Sequence, residues 1–125
     1  IVQGAHYNLI VKLLNDRFGI QTRGGCACAG TYGHMLLHVD EIRSYEVLES
    51  IHSGNLSCKP GWVRLSVHPV MTNAEIVFIL DAIEVTAANF KTWQQDYIYN
   101  AQTNEYTYKG PADAVGEMIE AWFEL

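Results

Sequence analysis

The chain of 125 residues carries 14 acidic and 8 basic side chains, which gives a formal net charge of -6. With 49% hydrophobic and 18% charged residues, it has the composition of one folded domain, and disorder is excluded. No basic cluster marks a nucleic-acid partner, and the longest apolar run, at 76–80, is far shorter than the roughly 20 residues that span a membrane.

The beginning of the chain and its cysteines bear on its origin. Ile1 is not an initiator Met, and no secretory signal follows it, so we expect a processed chain or a piece of a longer one. The three cysteines are an odd number, and Cys26 and Cys28 are too close in sequence to bridge comfortably. These features favour reduced thiols in a cytoplasmic protein.

The first half of the chain predicts two helices. Helical spacing of apolar residues predicts a helix over 6–18 that Gly19 ends, followed by an extended run over 20–23. The pair Gly24 and Gly25 permits a sharp turn or a close approach, and we expect a loop with reactive side chains after it. Asp40 is suited to cap a second helix that runs to about residue 52. Its predicted inward residues are Ile42, Leu48 and Ile51, and Gly54 is predicted to end it.

The second half predicts a strand, a long helix, a hairpin and a last helix. Residues 62–68 alternate, with Val63, Leu65 and Val67 on one face and a polar face that includes Arg64. A Thr-x-x-Glu capping box at 72–75 starts a long helix, with a predicted apolar stripe at Ile76, Ile79, Leu80, Ile83, Ala87 and Phe90. Tyrosines around 100–105 indicate a hairpin, and Pro111 can open a terminal helix.

This order of elements predicts an α/β or α+β fold in one domain over residues 1–125. We expect a small, mostly antiparallel sheet of about three strands packed against helices. Residues 96–125 hold the tyrosine hairpin and the terminal helix.

The residues around Cys28 are the densest group that could carry chemistry. Glycines at 24, 25 and 30 keep the backbone thin, so a ligand could approach the sulfur. A nearby cation such as Arg23 favours the thiolate, which is the reactive form. Cys28 is therefore a candidate nucleophile, and the alternatives are a buried or loop cysteine that serves as a small apolar residue and an ordinary solvated arginine at position 23.

Arg64 is the second candidate, since it lies on the polar face of the predicted strand beside Trp62 and Ser66. A guanidinium binds a carboxylate through two parallel hydrogen bonds, which suits it to an α-carboxylate. The alternative is a surface arginine whose stem packs on Trp62.

A metal site is a further alternative for the same segment. Cys26, Cys28, His34 and His38 offer sulfur and nitrogen ligands. Their spacing differs from the common Cys-x-x-Cys zinc patterns, so we assign no metal ligands.

The chain resembles the C-terminal small domain of fold-type I pyridoxal-phosphate enzymes. The residues that carry the resemblance are Arg23-x-Gly25-x-x-Cys28, then Arg64 before Ser66, and the helix start Thr72-x-x-Glu75. The similarity is to the class V aminotransferase and cysteine desulfurase group and covers residues 6–93, so residues 96–125 are atypical of the family. The resemblance implies that Cys28 receives sulfur from the substrate and that Arg64, with Arg23, binds the substrate carboxylate. Selenocysteine lyase, another lyase and a transaminase remain open as reactions.

The resemblance also implies what other parts of the enzyme supply. Family members anchor pyridoxal phosphate on a lysine of a large domain, and none of Lys12, Lys59, Lys91 and Lys109 has the expected context after a histidine. We expect the cofactor to be bound by an upstream large domain and the substrate to be a small molecule, an amino acid. We also expect the enzyme to be a homodimer and this fragment alone to be inactive. The rivals are a non-catalytic Cys/His metal-binding module and a plain interaction domain.

Overall fold

The computed structural model describes residues 4–26 and 30–110. Cys28 and the predicted terminal helix over 111–125 lie outside the described residues. The elements in chain order are α1 (Tyr7–Phe18), β1 (Arg23–Gly25), α2 (Gly30–Leu36), α3 (Glu41–His52), β2 (Trp62–Arg64), α4 (Asn73–Trp93), a 3-10 turn (Gln94–Asp96), β3 (Tyr97–Asn100) and β4 (Glu105–Tyr108).

The strands form two separate antiparallel pairs, β1 with β2 and β3 with β4. Together with the helices they make an α+β fold, as the sequence predicts. The expected sheet of about three strands is not found among the described residues, where each sheet has two. None of the described helices is both long and apolar enough to cross a lipid bilayer.

Helix α1 lies at the centre of the core. Its Leu9 and Leu13 are completely buried with Phe90 and Tyr97, while Leu14 packs in a second cluster with Ile79. The helix begins after His6, whose Nδ1 accepts a hydrogen bond from the Asn8 amide at 3.2 Å. It ends at Gly19, which has φ +67° and so adopts the left-handed conformation that favours glycine. The prediction for this helix is confirmed.

Helix α4 packs on α1 along one narrow stripe. The predicted capping box is present. Thr72 Oγ1 accepts a hydrogen bond from the Glu75 backbone amide at 3.3 Å, and the Glu75 carboxylate accepts one from the Thr72 backbone amide at 2.7 Å. The buried residues of the helix are Ile79, Ala82, Thr86 and Phe90. Leu80 and Ile83 were expected to face the core and are exposed, because the stripe that contacts α1 runs at 79, 82, 86 and 90.

The segment between β1 and β2 differs most from the structure that the sequence predicts. It contains α2 where a loop is predicted after Gly25. The Asp40 cap of α3 is confirmed, since its carboxylate accepts from the Arg43 amide at 2.8 Å. Ile42 and Leu48 are nevertheless exposed, and Val47 is the buried residue of this helix. Strand β2 stops at Arg64, and Val67 beyond it is exposed, because β1 offers only three residues for pairing.

The tyrosine hairpin of β3 and β4 is confirmed. Tyr97 is opposite Tyr108 and Tyr99 is opposite Tyr106. The turn ends at Asn104, a buried residue with φ +61°, whose side-chain amide donates to the Tyr7 hydroxyl at 2.7 Å. This bond joins the hairpin to the beginning of α1.

Candidate functional site

Both candidate arginines lie in the β1–β2 ladder, directly opposite each other. The register pairs Arg23 with Arg64, Gly24 with Val63 and Gly25 with Trp62. Side chains of directly opposed residues point to the same side of a sheet. Residues separated by 41 positions in the sequence are thus neighbours on one face of a short ladder.

The two faces of this ladder have different environments. An added Cβ at Gly24 would lie 2.6 Å from Asn8 Oδ1 and 2.8 Å from Tyr7 Cδ2, so the face of Gly24 and Val63 is turned to α1. Side chains alternate along a strand. Arg23, Gly25, Trp62 and Arg64 therefore lie on the face turned away from α1, which we call the arginine face.

Trp62 and Gly25 give the arginine face its shape. The Trp62 ring makes an edge contact with Tyr32 of α2, with 6.3 Å between ring centroids, and an added Cβ at Gly33 would lie 3.0 Å from it. Beside Trp62, an added Cβ at Gly25 would meet no atom of the described residues within 4 Å. The indole thus packs against α2, and Gly25 leaves open space next to it.

The arginine face carries two positive charges and is suited to bind an anion. Arg23 and Arg64 are both exposed, and like charges placed directly opposite each other in a sheet are destabilising. In the described part of the chain no carboxylate forms an ion pair with either guanidinium, since the ion pairs join Lys12 to Asp16 and Arg17 to Asp96. An anionic ligand with a carboxylate or phosphate group would relieve this repulsion and match the guanidinium geometry.

The two described cysteines differ in burial and in their position relative to β1. Cys26 follows β1 directly, is half-buried, and its Sγ donates to the Pro60 carbonyl at 2.7 Å. This bond joins the end of β1 to the turn before β2. Cys58 is exposed. Cys28 lies outside the described residues.

Of the four residues in the metal alternative, the structure describes Cys26, His34 and His38. His34 is exposed on α2, and His38 is exposed with φ +51°. Across residues 4–26 and 30–110, no group of three or more His, Cys, Asp and Glu side chains could hold a metal ion.

The four lysines lie on different parts of the fold. Lys12 is on α1, where it pairs with Asp16 at 3.2 Å, and Lys91 is near the end of α4. Lys59 lies in the turn before β2, and Lys109 donates to the Gln95 carbonyl. Lys12 and Lys109 thus have partners within the fold, on elements other than β1 and β2.

A polar cleft of about 650 Å³ lies on the other side of the ladder. It runs between α1 and β4 and is lined by Asn8, Lys12, Asn15, Thr22 and Glu105, among others. It holds neither of the two arginines.

Sequence reasoning identified both arginines and missed their pairing. The alternation of Trp62, Val63 and Arg64 predicts a polar face for Arg64, whereas the sequence predicts only an extended run for Arg23, before the glycines. The glycine pair itself was the available signal: a strand with glycine at 24 and 25 can lie against Tyr7 on one face and leave space on the other. The role of α2 as a support for Trp62 had no signal in the pattern.

Comparisons with known proteins add no relative. No protein-family model matches the chain, no curated protein matches it, and no solved structure matches it.

Proposed function

We propose that this chain is the substrate-carboxylate and thiol portion of a pyridoxal-phosphate enzyme of the class V aminotransferase and cysteine desulfurase group. The reaction is that of a cysteine desulfurase or selenocysteine lyase. The observation that carries the proposal is the pairing of Arg23 with Arg64 on the face of β1 and β2 turned away from the core.

Position along the chain supports the same assignment. Cys28 follows the last residue of β1 by three positions, and three residues of chain span at most about 11 Å. This short separation in sequence supports assigning the thiol to the same site as the arginines. In the longer enzyme, β1 and β2 belong to a small, mostly antiparallel sheet of about three strands.

Arg64 orients the substrate. Its guanidinium binds the α-carboxylate through two parallel hydrogen bonds, and the packing of Trp62 against α2 holds the strand beneath it. Fixing the substrate in this way lowers the entropic part of the barrier.

Cys28 receives the sulfur. Its thiolate attacks the γ-sulfur of the substrate, so that a sulfur–sulfur bond forms as the bond between carbon and sulfur breaks. The electron pair stays with the β-carbon, which takes up a proton, and alanine is released. Arg23, five residues before Cys28, favours the thiolate form.

We assign the cofactor to residues of the upstream segment, because none of the lysines of this chain follows a histidine, which is the context that the resemblance implies for the anchoring lysine. Pyridoxal phosphate supplies the electron sink that labilises bonds to the substrate α-carbon. Added to the 125-residue chain alone, it should give no persistent absorbance band of bound cofactor. A stable band would contradict this division of roles.

The direct test uses the longer enzyme with its upstream segment. Cys28→Ala should abolish sulfur release and leave the cofactor absorbance intact, whereas Cys58→Ala, at an exposed cysteine, should retain activity. Unchanged sulfur release in Cys28→Ala would remove this thiol from the mechanism.

A second variant tests the carboxylate assignment. Arg64→Ala removes a charged hydrogen-bond partner of about 1.5–3 kcal/mol, so KM should rise by about 10- to 150-fold. Arg43→Ala, at an exposed arginine of α3, is the matched control and should leave KM unchanged. An unchanged KM in Arg64→Ala would reject the assignment.

A further inference from the structure

We propose that residues 111–125 dock as an amphipathic helix on a second apolar stripe of α4. We call this surface the outer stripe, and its members are Ile76, Leu80, Ile83 and Ala87. The inference assigns an interaction surface and its occupant, and it does not depend on the proposed function.

The outer stripe lies beside the row of residues that α4 buries against α1. Residues three or four apart share one face of a helix, so positions 76, 80, 83 and 87 form a continuous row. Leu80 is 58% exposed and Ile83 is 38% exposed, whereas Ile79 and Thr86 of the neighbouring row are buried. A helix with apolar residues on more than one face is typically covered on more than one face, and α1 covers the row at 79, 82, 86 and 90.

The last described residues bring the chain to the C-terminal end of α4. The Lys109 backbone amide donates to the Asp96 carbonyl at 2.9 Å, and the 3-10 turn that contains Asp96 follows α4 directly. Residues 111–125 therefore start beside this end of the helix. A helix of their length extends about 22 Å, and α4 rises about 20 Å from Leu80 to Trp93. The segment is thus long enough to run back along α4 to Leu80.

The sequence of 111–125 fits a helix with one apolar side. At helical spacing, four apolar residues share one side, and they are Val115, Met118, Ile119 and Trp122. The acidic residues share the opposite side, and they are Asp113, Glu117, Glu120 and Glu124. An isolated helix of this length is marginal in water, so its apolar side needs a surface to cover.

The covalent link to β4 favours this segment over a second copy of the chain as the occupant. A tethered segment meets its docking surface at an effective concentration in the range of mM, whereas a second copy must associate from free solution. The outer stripe is therefore assigned to residues 111–125.

The first test is NMR spectroscopy of the whole chain with labelled methyl groups. Nuclear Overhauser contacts should join the methyl groups of Leu80 and Ile83 to the Trp122 indole, because the segment runs antiparallel along the outer stripe. A sample that mixes labelled and unlabelled chains distinguishes contacts within one chain from contacts between two chains.

The second test is amide hydrogen exchange over residues 115–123. Leu80→Asp places a charge in the outer stripe and should speed this exchange by at least about tenfold. The matched control is Val85→Asp, at a residue of α4 that is 42% exposed. Val85 is two positions from Ile83 and five from Leu80, so it does not share their face, and its substitution should leave the exchange unchanged.

A variant in the segment itself leaves α4 intact, so it serves if Leu80→Asp unfolds the chain. Trp122→Asp should shift the methyl signals of Leu80 and Ile83. Glu124→Gln, on the acidic side of the segment, should leave these signals in place.

Three outcomes would overturn the inference. Unprotected amides over 115–123 in the unaltered chain would show that the segment does not dock. Contacts from Trp122 to Tyr45 or Leu48 in place of the outer stripe would assign the segment to α3. Contacts to Leu80 that occur only between labelled and unlabelled chains would assign the outer stripe to a second copy of the chain.

Discussion

Two regions of this molecule differ sharply in how they bury apolar side chains. The scaffold, formed by α1, α4 and the β3–β4 hairpin, encloses Leu9, Leu13, Phe90 and Tyr97. The α2–α3 segment, residues 30–52, buries Gly33 and Val47 and exposes most of its large apolar side chains. The exposed residues are Tyr32, Met35, Leu36, Ile42, Tyr45 and Leu48.

The difference shows how the fold divides its tasks. The scaffold supplies the core that holds the β1–β2 ladder in place, through α1. The arginine face looks away from that core, and the α2–α3 segment adjoins it through Tyr32 and Trp62. Several large apolar side chains exposed on one segment are typical of a contact with another chain or domain, which agrees with the proposal that an upstream domain completes the site.

The strongest test of the comparison replaces one leucine in each region. Leu13→Ala removes a completely buried side chain and should lower the free energy of unfolding by about 2–5 kcal/mol. Leu48→Ala, at a residue 47% exposed in α3, should change it by less than about 1 kcal/mol. Urea denaturation measures the free energy of unfolding of both variants. Equal losses would contradict the difference in burial between the scaffold and the α2–α3 segment.

Close packing between the scaffold and the ladder can be tested at Gly61. An added Cβ there would lie 2.7 Å from Tyr7 Cε1 and 2.9 Å from the Gly25 Cα. Because one of these atoms is backbone, Gly61→Ala should cost about 1–3 kcal/mol of unfolding free energy. Ser66→Ala, at an exposed position just after β2, is the control. A Gly61→Ala protein as stable as this control would show that the ladder does not press on α1.

The cap of α3 tests whether the α2–α3 segment unfolds by itself. Asp40→Ala removes the hydrogen bond to the Arg43 amide and should cost about 1 kcal/mol. We expect faster amide hydrogen exchange within α3 and unchanged exchange in α4, because local openings follow the less packed unit. Asp81→Ala, at an exposed acid of α4, is the control. Equally faster exchange in both helices would mean that the two regions form one cooperative unit.

The smallest expected effect is a pH dependence at His6. Burial lowers the pKa of His6 below its usual value of 6.5. The Nδ1 atom of His6 accepts a hydrogen bond from the Asn8 backbone amide. Because its pKa is lowered in the folded state, the contribution of neutral His6 to the free energy of unfolding is complete above pH 6.5. This contribution is lost as the pH falls through the folded-state pKa.

His6→Asn keeps a side chain suited to the cap and should remove this loss, as measured by urea denaturation at about pH 7.5 and about pH 5. The control is His52→Asn, at an exposed histidine. A loss of stability at low pH that persists unchanged in His6→Asn would assign it to other groups.

The sequence by itself determined the elements whose signals are local. Gly19 ends α1, Asp40 caps α3, and Thr72 with Glu75 caps α4, because a cap depends on hydrogen bonds between residues that are three or four apart. The hairpin of β3 and β4 is likewise formed between neighbours in sequence.

Only the tertiary structure decided which faces are buried and which distant residues meet. Leu80 is apolar at helical spacing, yet it is exposed, because burial along α4 depends on where α1 lies and not on the spacing alone. Ile42 of α3 is also apolar at helical spacing and exposed. The pairing of Arg23 with Arg64 depends on the register of two three-residue strands. That register is determined by Gly24 against Tyr7 and Gly61 against Gly25, and such close approaches between separate segments leave no period in the sequence.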